Sequence, residues 1–269
     1  MDRTELENAL RERCPSFAEQ VIAAIEPCLR LDTEPGDDAP VGVSKLGGDP
    51  DLPTNFEWPT WEEGPLDFLA QIDLTQIDTS FGLPDNGVLV FFADVDACFG
   101  LSQKDKDGFR IVWTDAELER RPAPEDAERF ACGRIAFRNH LSVPPLGAVA
   151  VGDVDVPDEE ADALDDIRRE FGGYEAHQLL GHADFIQHPI EEETVQAITG
   201  CSTGGAGFDT KLWAKVKDQT KDWRLLLQIA SDGELDYMWG DAGLLYFAIR
   251  RDALARPLSE NAWYIFQCS

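Results

Sequence analysis

Phe68-Leu69-Ala70-Gln71-Ile72 and Leu225-Leu226-Leu227-Gln228-Ile229 are two apolar runs 157 residues apart, each interrupted at its fourth position by one glutamine. Gly87-Val88-Leu89-Val90-Phe91 and Gly243-Leu244-Leu245-Tyr246-Phe247 follow them at an offset of 156, and Phe109 to Trp113 precedes its counterpart Trp263 to Gln267 by 154. A glycine turn stands ahead of each first run, Leu46-Gly47-Gly48-Asp49 and Leu180-Gly181-His182-Ala183-Asp184. Three apolar segments in one order at nearly constant offset predict an internal duplication. Short continuous apolar runs bounded by Gly, Pro and Asp read as strands buried on both faces. A unit that small leaves one sheet face bare, so two copies are expected to share one interior. The expected class is α+β, with internally duplicated β-rich units of short strands, tight turns and peripheral helices packed into one body about a pseudo-twofold relation.

Outward from these runs the chain divides into four segments. Residues 1–40 read as an N-terminal helical appendage, with helices over 4–14 and 16–26 split by Pro15 and a capping box formed by Ser16 and Glu19. Residues 41–121 form the first repeat unit, with strands near 68–74, 88–92 and 109–113 and a short helix opened by Asp115. Residues 122–175 connect the units through short strands around 134–137 and 148–151 and a helix from Asp158 that stops at Gly172-Gly173. Residues 176–269 form the second repeat unit, with a helix over 191–198 and strands over 223–229, 244–249 and 263–267.

The chain has 269 residues, 43% of them hydrophobic, and its 52 acidic side chains oppose 23 basic ones for a net charge of -29. Binding to nucleic acid runs on clustered Lys and Arg, and no such cluster is present, so nucleic acid is excluded as a partner and an anionic membrane is disfavoured likewise. No window reaches eighteen consecutive apolar residues, and the opening Met1-Asp2-Arg3-Thr4-Glu5 lacks the apolar run of a secretory signal, so a cytoplasmic location is expected. The six cysteines are scattered without a C-x-x-C pair, which predicts reduced, mostly buried thiols.

Ser44-Lys45-Leu46-Gly47-Gly48-Asp49-Pro50-Asp51-Leu52-Pro53, Trp58-Pro59, Phe68 to Leu74 and Leu83-Pro84-Asp85-Asn86-Gly87 resemble the opening half of the YwqG-like family, a bacterial and archaeal family of unknown function. Leu180 to Gln187, Trp223 to Ile229 and Trp239 to Phe247 are similar to its second set of motifs, so the resemblance covers about residues 41 to 269. It implies a mixed α+β fold with internal duplication and implies no reaction.

Gly200-Cys201-Ser202-Thr203-Gly204-Gly205-Ala206-Gly207 lacks the Lys and Ser or Thr of a phosphate loop, because Phe208 and Asp209 follow it, and reads as a flexible loop. His177, His182 and His188 fall at spacings of five and six, which fit neither a helix face nor strand alternation, and no metal or other cofactor is expected. Gln71 and Gln228 carry more information, since a buried amide must find several hydrogen-bond partners. They either lock backbone where the halves join or face a shared cleft with Trp58, Trp239 and Asp241 at its rim. Lys45, beside a glycine turn in a lysine-poor chain, His182 in its Gly-His-Ala-Asp turn, and Gln187 complete the candidate ligand-binding set. The first reading is a non-catalytic binding protein that receives a small polar ligand or a protein partner between the halves. The alternatives are a metal-independent enzyme using Lys45, His182 or Asp241 for proton transfer, and an acidic, immunity-like protein that neutralises a basic partner.

Overall fold

A strand whose every side chain is apolar must be covered on both faces, and the arrangement of the chain follows from supplying that cover. The computed structural model describes residues 2–36, 39–152, 154–172, 176–201 and 209–269. Helices α1 (Arg3–Arg13) and α2 (Ala18–Ala24) precede β1 (Glu26–Pro35). The short strands β2 (Lys45–Leu46), β3 (Asp51–Pro53), β4 (Thr60–Trp61) and β5 (Gly64–Pro65) then lead into a meander of β6 (Asp67–Asp73), β7 (Val88–Ala93) and β8 (Phe109–Thr114). After β9 (Leu118–Arg120), strand β10 (Gly133–Ser142) returns to pair with β1 from end to end. Helix α3 (Asp158–Gly172), β11 (Gln178–Leu179), α4 (Ile190–Thr199) and α5 (Thr210–Val216) lead to a second meander of β12 (Trp223–Ala230), β13 (Leu244–Arg250) and β14 (Ala262–Gln267).

One antiparallel sheet of ten strands results, in the order β14-β13-β12-β11-β1-β10-β2-β6-β7-β8. It curls until its two edges approach: the Phe109 ring on β8 lies 5.8 Å from that of Trp263 and 6.4 Å from that of Tyr264 on β14. No ladder joins the edges. Ser259 bridges toward β8 instead, its hydroxyl accepting from the Ile111 N–H at 2.7 Å and donating to the Ile111 carbonyl at 3.2 Å. Side-chain capping of this kind blunts an exposed strand edge without closing the barrel.

The enclosed face carries the main core, where Leu89 and Phe91 of β7 meet Leu245 and Phe247 of β13; the Phe91 and Phe247 rings cross edge to face at 5.0 Å. The outer face of β7 is covered separately, with Phe92 against Trp58 at 5.3 Å and Phe68 at 5.8 Å. Over the middle of the sheet, α1, α2 and α3 bring Leu10, Val21, Leu164 and Ile167 into a further apolar cluster. Among the described residues, no helix is long and apolar enough to cross a membrane.

The strands of both meanders and the helices near 158 and 191 fall where the apolar pattern puts them. Residues 26–35 differ. The sequence reads there as a helix end followed by turn formers, but the segment is a central strand, with Leu29 and Leu31 in the main core and ten register pairs to β10. Pairing along its whole length overrides the turn signals of Pro27, Asp32 and Pro35, so the front of the chain is partly sheet rather than a helical appendage. Residues 118–120 form an edge strand against β3, not a helix, and residues 148–151 form successive turns, not a strand. The Ser16–Glu19 capping box does not form, because Ser16 binds Glu160 of α3 through its N–H at 2.9 Å and its hydroxyl at 2.6 Å.

Phe91→Ala and Phe247→Ala are each expected to destabilise the fold by about 3–5 kcal/mol in urea unfolding. The double variant should show a coupling of about 0.5–1.5 kcal/mol, since the rings touch; strict additivity would mean that the two meanders do not share an interior.

Candidate functional site

Each meander begins with a bulged strand. The register of β6 against β7 shifts between Phe68 and Ala70, and that of β12 against β13 between Leu225 and Leu227. The bulged residues Leu69 and Leu226 turn their carbonyls out of the ladder, and each accepts a backbone N–H at 2.9 Å, from Gly47 and from Leu180. Both donors have left-handed backbone (φ 55° and 64°), as do the residues that follow them, Gly48 (70°) and Gly181 (78°). At Gly181 a side chain would be impossible, since a Cβ would lie 2.6 Å from that of Ser142.

The glutamines sit two residues past these bulges, wholly buried. Gln71 Oε1 accepts the Asp51 N–H at 2.8 Å, and its Nε2 donates to Asp51 Oδ2 and to the Val43 carbonyl, both at 2.7 Å. Gln228 makes the same three bonds: the Asp184 N–H at 2.8 Å, Asp184 Oδ2 at 3.1 Å and the Ala176 carbonyl at 2.8 Å. Each amide is thereby fully committed, as a buried amide must be. The two carboxylates differ in their cations. Asp51 is paired with Lys45 at 3.3 Å and with Arg120 of β9. Asp184 is paired with Arg168 of α3 and lies 3.8 Å from Arg30 of β1. Burial would raise the Asp51 pKa, but hydrogen bonds from Arg120, the Gly42 N–H and Gln71 outweigh it and hold the carboxyl below its usual value. Burial pushes the Lys45 ammonium down.

The candidate ligand-binding residues lie in separate surroundings. Lys45 and Gln71 belong to the first of these knots and Gln228 to the second, with their polar groups turned inward on partners. Trp58 covers the outer face of β7 and donates from Nε1 to the Leu66 carbonyl at 2.9 Å. Trp239 donates to the Ala230 carbonyl at 3.0 Å and stacks on edge with Phe130 at 5.0 Å. Asp241 and Gln187 are exposed, and Gln187 is tied to the Cys268 carbonyl at 2.9 Å. His182 is buried beside the second knot, its Nε2 at 2.6 Å from the Ala24 carbonyl. His177 binds the Ala230 N–H and Asp232, both at 3.0 Å. Of the glycine-rich stretch, residues 202–208 lie outside the described residues. The cysteines are free, and burial pushes Cys28 and Cys98 up to about 12, so neither is an activated thiolate.

A different concavity opens at the seam between the sheet edges. About 610 Å³ in volume, it is lined by Phe109, Arg110 and Ile111 of β8, by Trp263 of β14, by Ser259 and by the acids Asp107 and Glu260. Cavities of several hundred cubic ångströms are the size that encloses small ligands. Arg250 at its margin is held by Asp252 through two bonds of 3.1 Å. The side chain of Arg110, partly buried, has no hydrogen-bond or ion-pair partner among the described residues. Sequence reasoning missed it, because an arginine alternating with apolar residues in a strand carries no mark of the cleft it will border.

A mixed α+β protein on one nearly closed antiparallel sheet, pinned by buried Asp–Gln pairs, is the class that fold and site define. Residues 44–268 match the family described as a domain of unknown function, DUF1963, and the chain belongs to that family. The match starts after β1, although β1 lies in the middle of the sheet. No curated protein matches the chain.

Gln71→Leu and Gln228→Leu, nearly isosteric, each strand one N–H, one carboxylate oxygen and one carbonyl; both should destabilise by about 3–5 kcal/mol in denaturant titrations. A loss below about 0.5 kcal/mol in either would show that the knot does not hold its loop. Because the Asp51 carboxyl is held below its usual value of 3.8, its contribution is complete above that pH and is lost as pH falls below it. Asp51→Asn should therefore flatten the acid limb of the melting-temperature profile measured by scanning calorimetry.

Proposed function

We propose that this protein is a binding protein that receives a small polar ligand, with a negatively charged group, in the seam between β8 and β14. The observation that carries this reading is Arg110: a partly buried residue in the lining of a cleft of about 610 Å³, its side chain without an ion-pair partner among the described residues, in a chain with 52 acidic side chains. In such a chain a surface arginine ordinarily finds an acid nearby, as Arg250 does at the same cleft. An unpaired cation at a cleft whose lining mixes apolar residues with Lys106, Asp107 and Glu260 is suited to an anionic group arriving with the ligand.

The seam is also where two like halves would meet. We read residues 41–121 and 176–269 as copies of one unit; the matched bulges, glycine turns and three-bond knots support this, with Asp51, rather than Asp49, standing opposite Asp184. The YwqG-like resemblance of the motifs agrees with that reading. A pseudo-twofold pair of units forms its joint where the outermost strands converge, which is the seam.

One observation favours a second reading. Beside Trp239 a groove of about 220 Å³ holds Met238, 68% exposed, between Asp96, Glu128 and Asp236. An apolar anchor point ringed by acids suits a basic protein partner, the neutralising role.

Thermal-shift measurements over a panel of small carboxylates and phosphorylated metabolites separate the two. On the seam reading at least one compound, at about a hundred times its Kd, stabilises the protein by about 2.7 kcal/mol, and Arg110→Gln removes the shift without changing the unliganded Tm. No shift with any compound, together with recovery of a specific basic protein whose binding Met238→Asp abolishes, would replace the seam reading by the neutralising one.

A further inference from the structure

A second cavity, distinct from the seam, lies where the turn after β11 passes under the starts of β12 and α4. It is about 110 Å³ and is lined by His182, Phe185, Glu191, Lys221, Trp223 and Arg251. The left-handed pair Leu180 and Gly181 swings His182 under β10, where its N–H donates to Ser142 Oγ at 2.9 Å and its carbonyl accepts from Gln178 at 3.0 Å. The residue is 7% exposed. A carbonyl oxygen can only accept, so Nε2, at 2.6 Å from the Ala24 carbonyl, carries the proton. Burial lowers the pKa of the ring and keeps it neutral. Nδ1 is then a bare acceptor, without a hydrogen-bond partner among the described residues.

The lining also carries two cations. Arg251 donates from Nε to the Lys221 carbonyl at 3.2 Å and from Nη1 to Glu26 at 3.4 Å, which leaves Nη2 uncommitted among the described residues. Lys221 also lines the cavity; its side chain is 73% exposed and its Nζ lies 3.6 Å from Asp218 Oδ1, an exposed pair. A ligand that satisfies these groups must donate a hydrogen bond to Nδ1 and present an anion to Arg251 and Lys221. At about 110 Å³ the cavity is small, which suits a compact ligand.

We propose that this cavity is a binding site for a small hydroxy acid, its hydroxyl donating to His182 Nδ1 and its carboxylate resting on Arg251 and Lys221. Glu191 supports the assignment. Burial raises its carboxyl to about 7, so that near neutrality and below it is a donor rather than a repelling charge. The charged and titratable groups around it are Glu26 of β1, Arg224 of β12, Glu192 of α4, and Arg251, Lys221 and His182. Affinity for the acid should fall as pH rises through about 7, when Glu191 becomes a carboxylate facing the ligand's own.

Glycolate is the probe, with acetate lacking the hydroxyl and ethylene glycol lacking the carboxylate. Titration is followed through the imidazole nitrogen resonances, which four histidines leave resolvable. Glycolate should move the His182 Nδ1 signal saturably, acetate and ethylene glycol should bind at least about tenfold more weakly, and Arg251→Gln and the exposed Lys221→Gln should each weaken glycolate by a similar factor. Arg110→Gln should leave the titration unchanged, which keeps this site separate from the seam. Equal affinity for acetate and glycolate, or an Nδ1 signal that glycolate does not move in the folded wild-type protein, would overturn the proposal.

Discussion

The reciprocal pair formed by a buried glutamine and an aspartate, closed by two hydrogen bonds between one side-chain amide and one residue's N–H and carboxylate, is the constraint on which the rest of the structure depends. A strand buried on both faces cannot tolerate a polar side chain unless every one of its donors and acceptors is used. Gln71 and Gln228 meet that condition by drawing a loop across the sheet, and the loop then brings a carboxyl group into the interior. The carboxylate in turn requires cations, and these come from distant elements: Lys45 and Arg120 in one case, Arg168 of α3 and Arg30 of β1 in the other. Two amides thereby fix the glycine turns, the placing of β9 and the docking of α3.

The same logic explains the uneven use of positive charge. With 23 bases against 52 acids, the interior carboxylates claim several of the cations, and surface pairs hold others. What distinguishes the seam and the His182 cavity is polar capacity left uncommitted among the described residues: the Arg110 side chain in one, Nδ1 of His182 and one guanidinium nitrogen of Arg251 in the other. Buried or half-buried groups of this kind are normally satisfied within a protein, so uncommitted ones beside a cavity are the places where a ligand can supply the missing partner.

How far the sequence could be read depended on whether the signal was local. The strands of both meanders stood out because burial on two faces forces continuous apolar composition, and α3 because Leu164 and Ile167 repeat at helical spacing. Strand β1 was hidden: its prolines and acids favour turns, and only pairing with strands far along the chain, β10 and β11, makes it a strand. The glutamines were legible as polar interruptions in apolar runs, and His182 as a histidine in a glycine turn. Their partners were not. Asp51 and Asp184 each lie six residues beyond the paired positions Lys45 and Gln178, a spacing that becomes informative only once the register of the sheet is known.

By itself the sequence determined that the chain builds strands buried on both faces, that two polar amides lie within them, and that its surface is strongly acidic; composition and short-range periodicity carry all three. Tertiary structure decided that the sheet curls until β8 faces β14, which carboxylates the amides hold, and that Arg110 and His182 line two separate cavities. These outcomes depend on pairings between residues tens to hundreds of positions apart, and burial and hydrogen bonding at that range leave no local trace in the order of the amino acids.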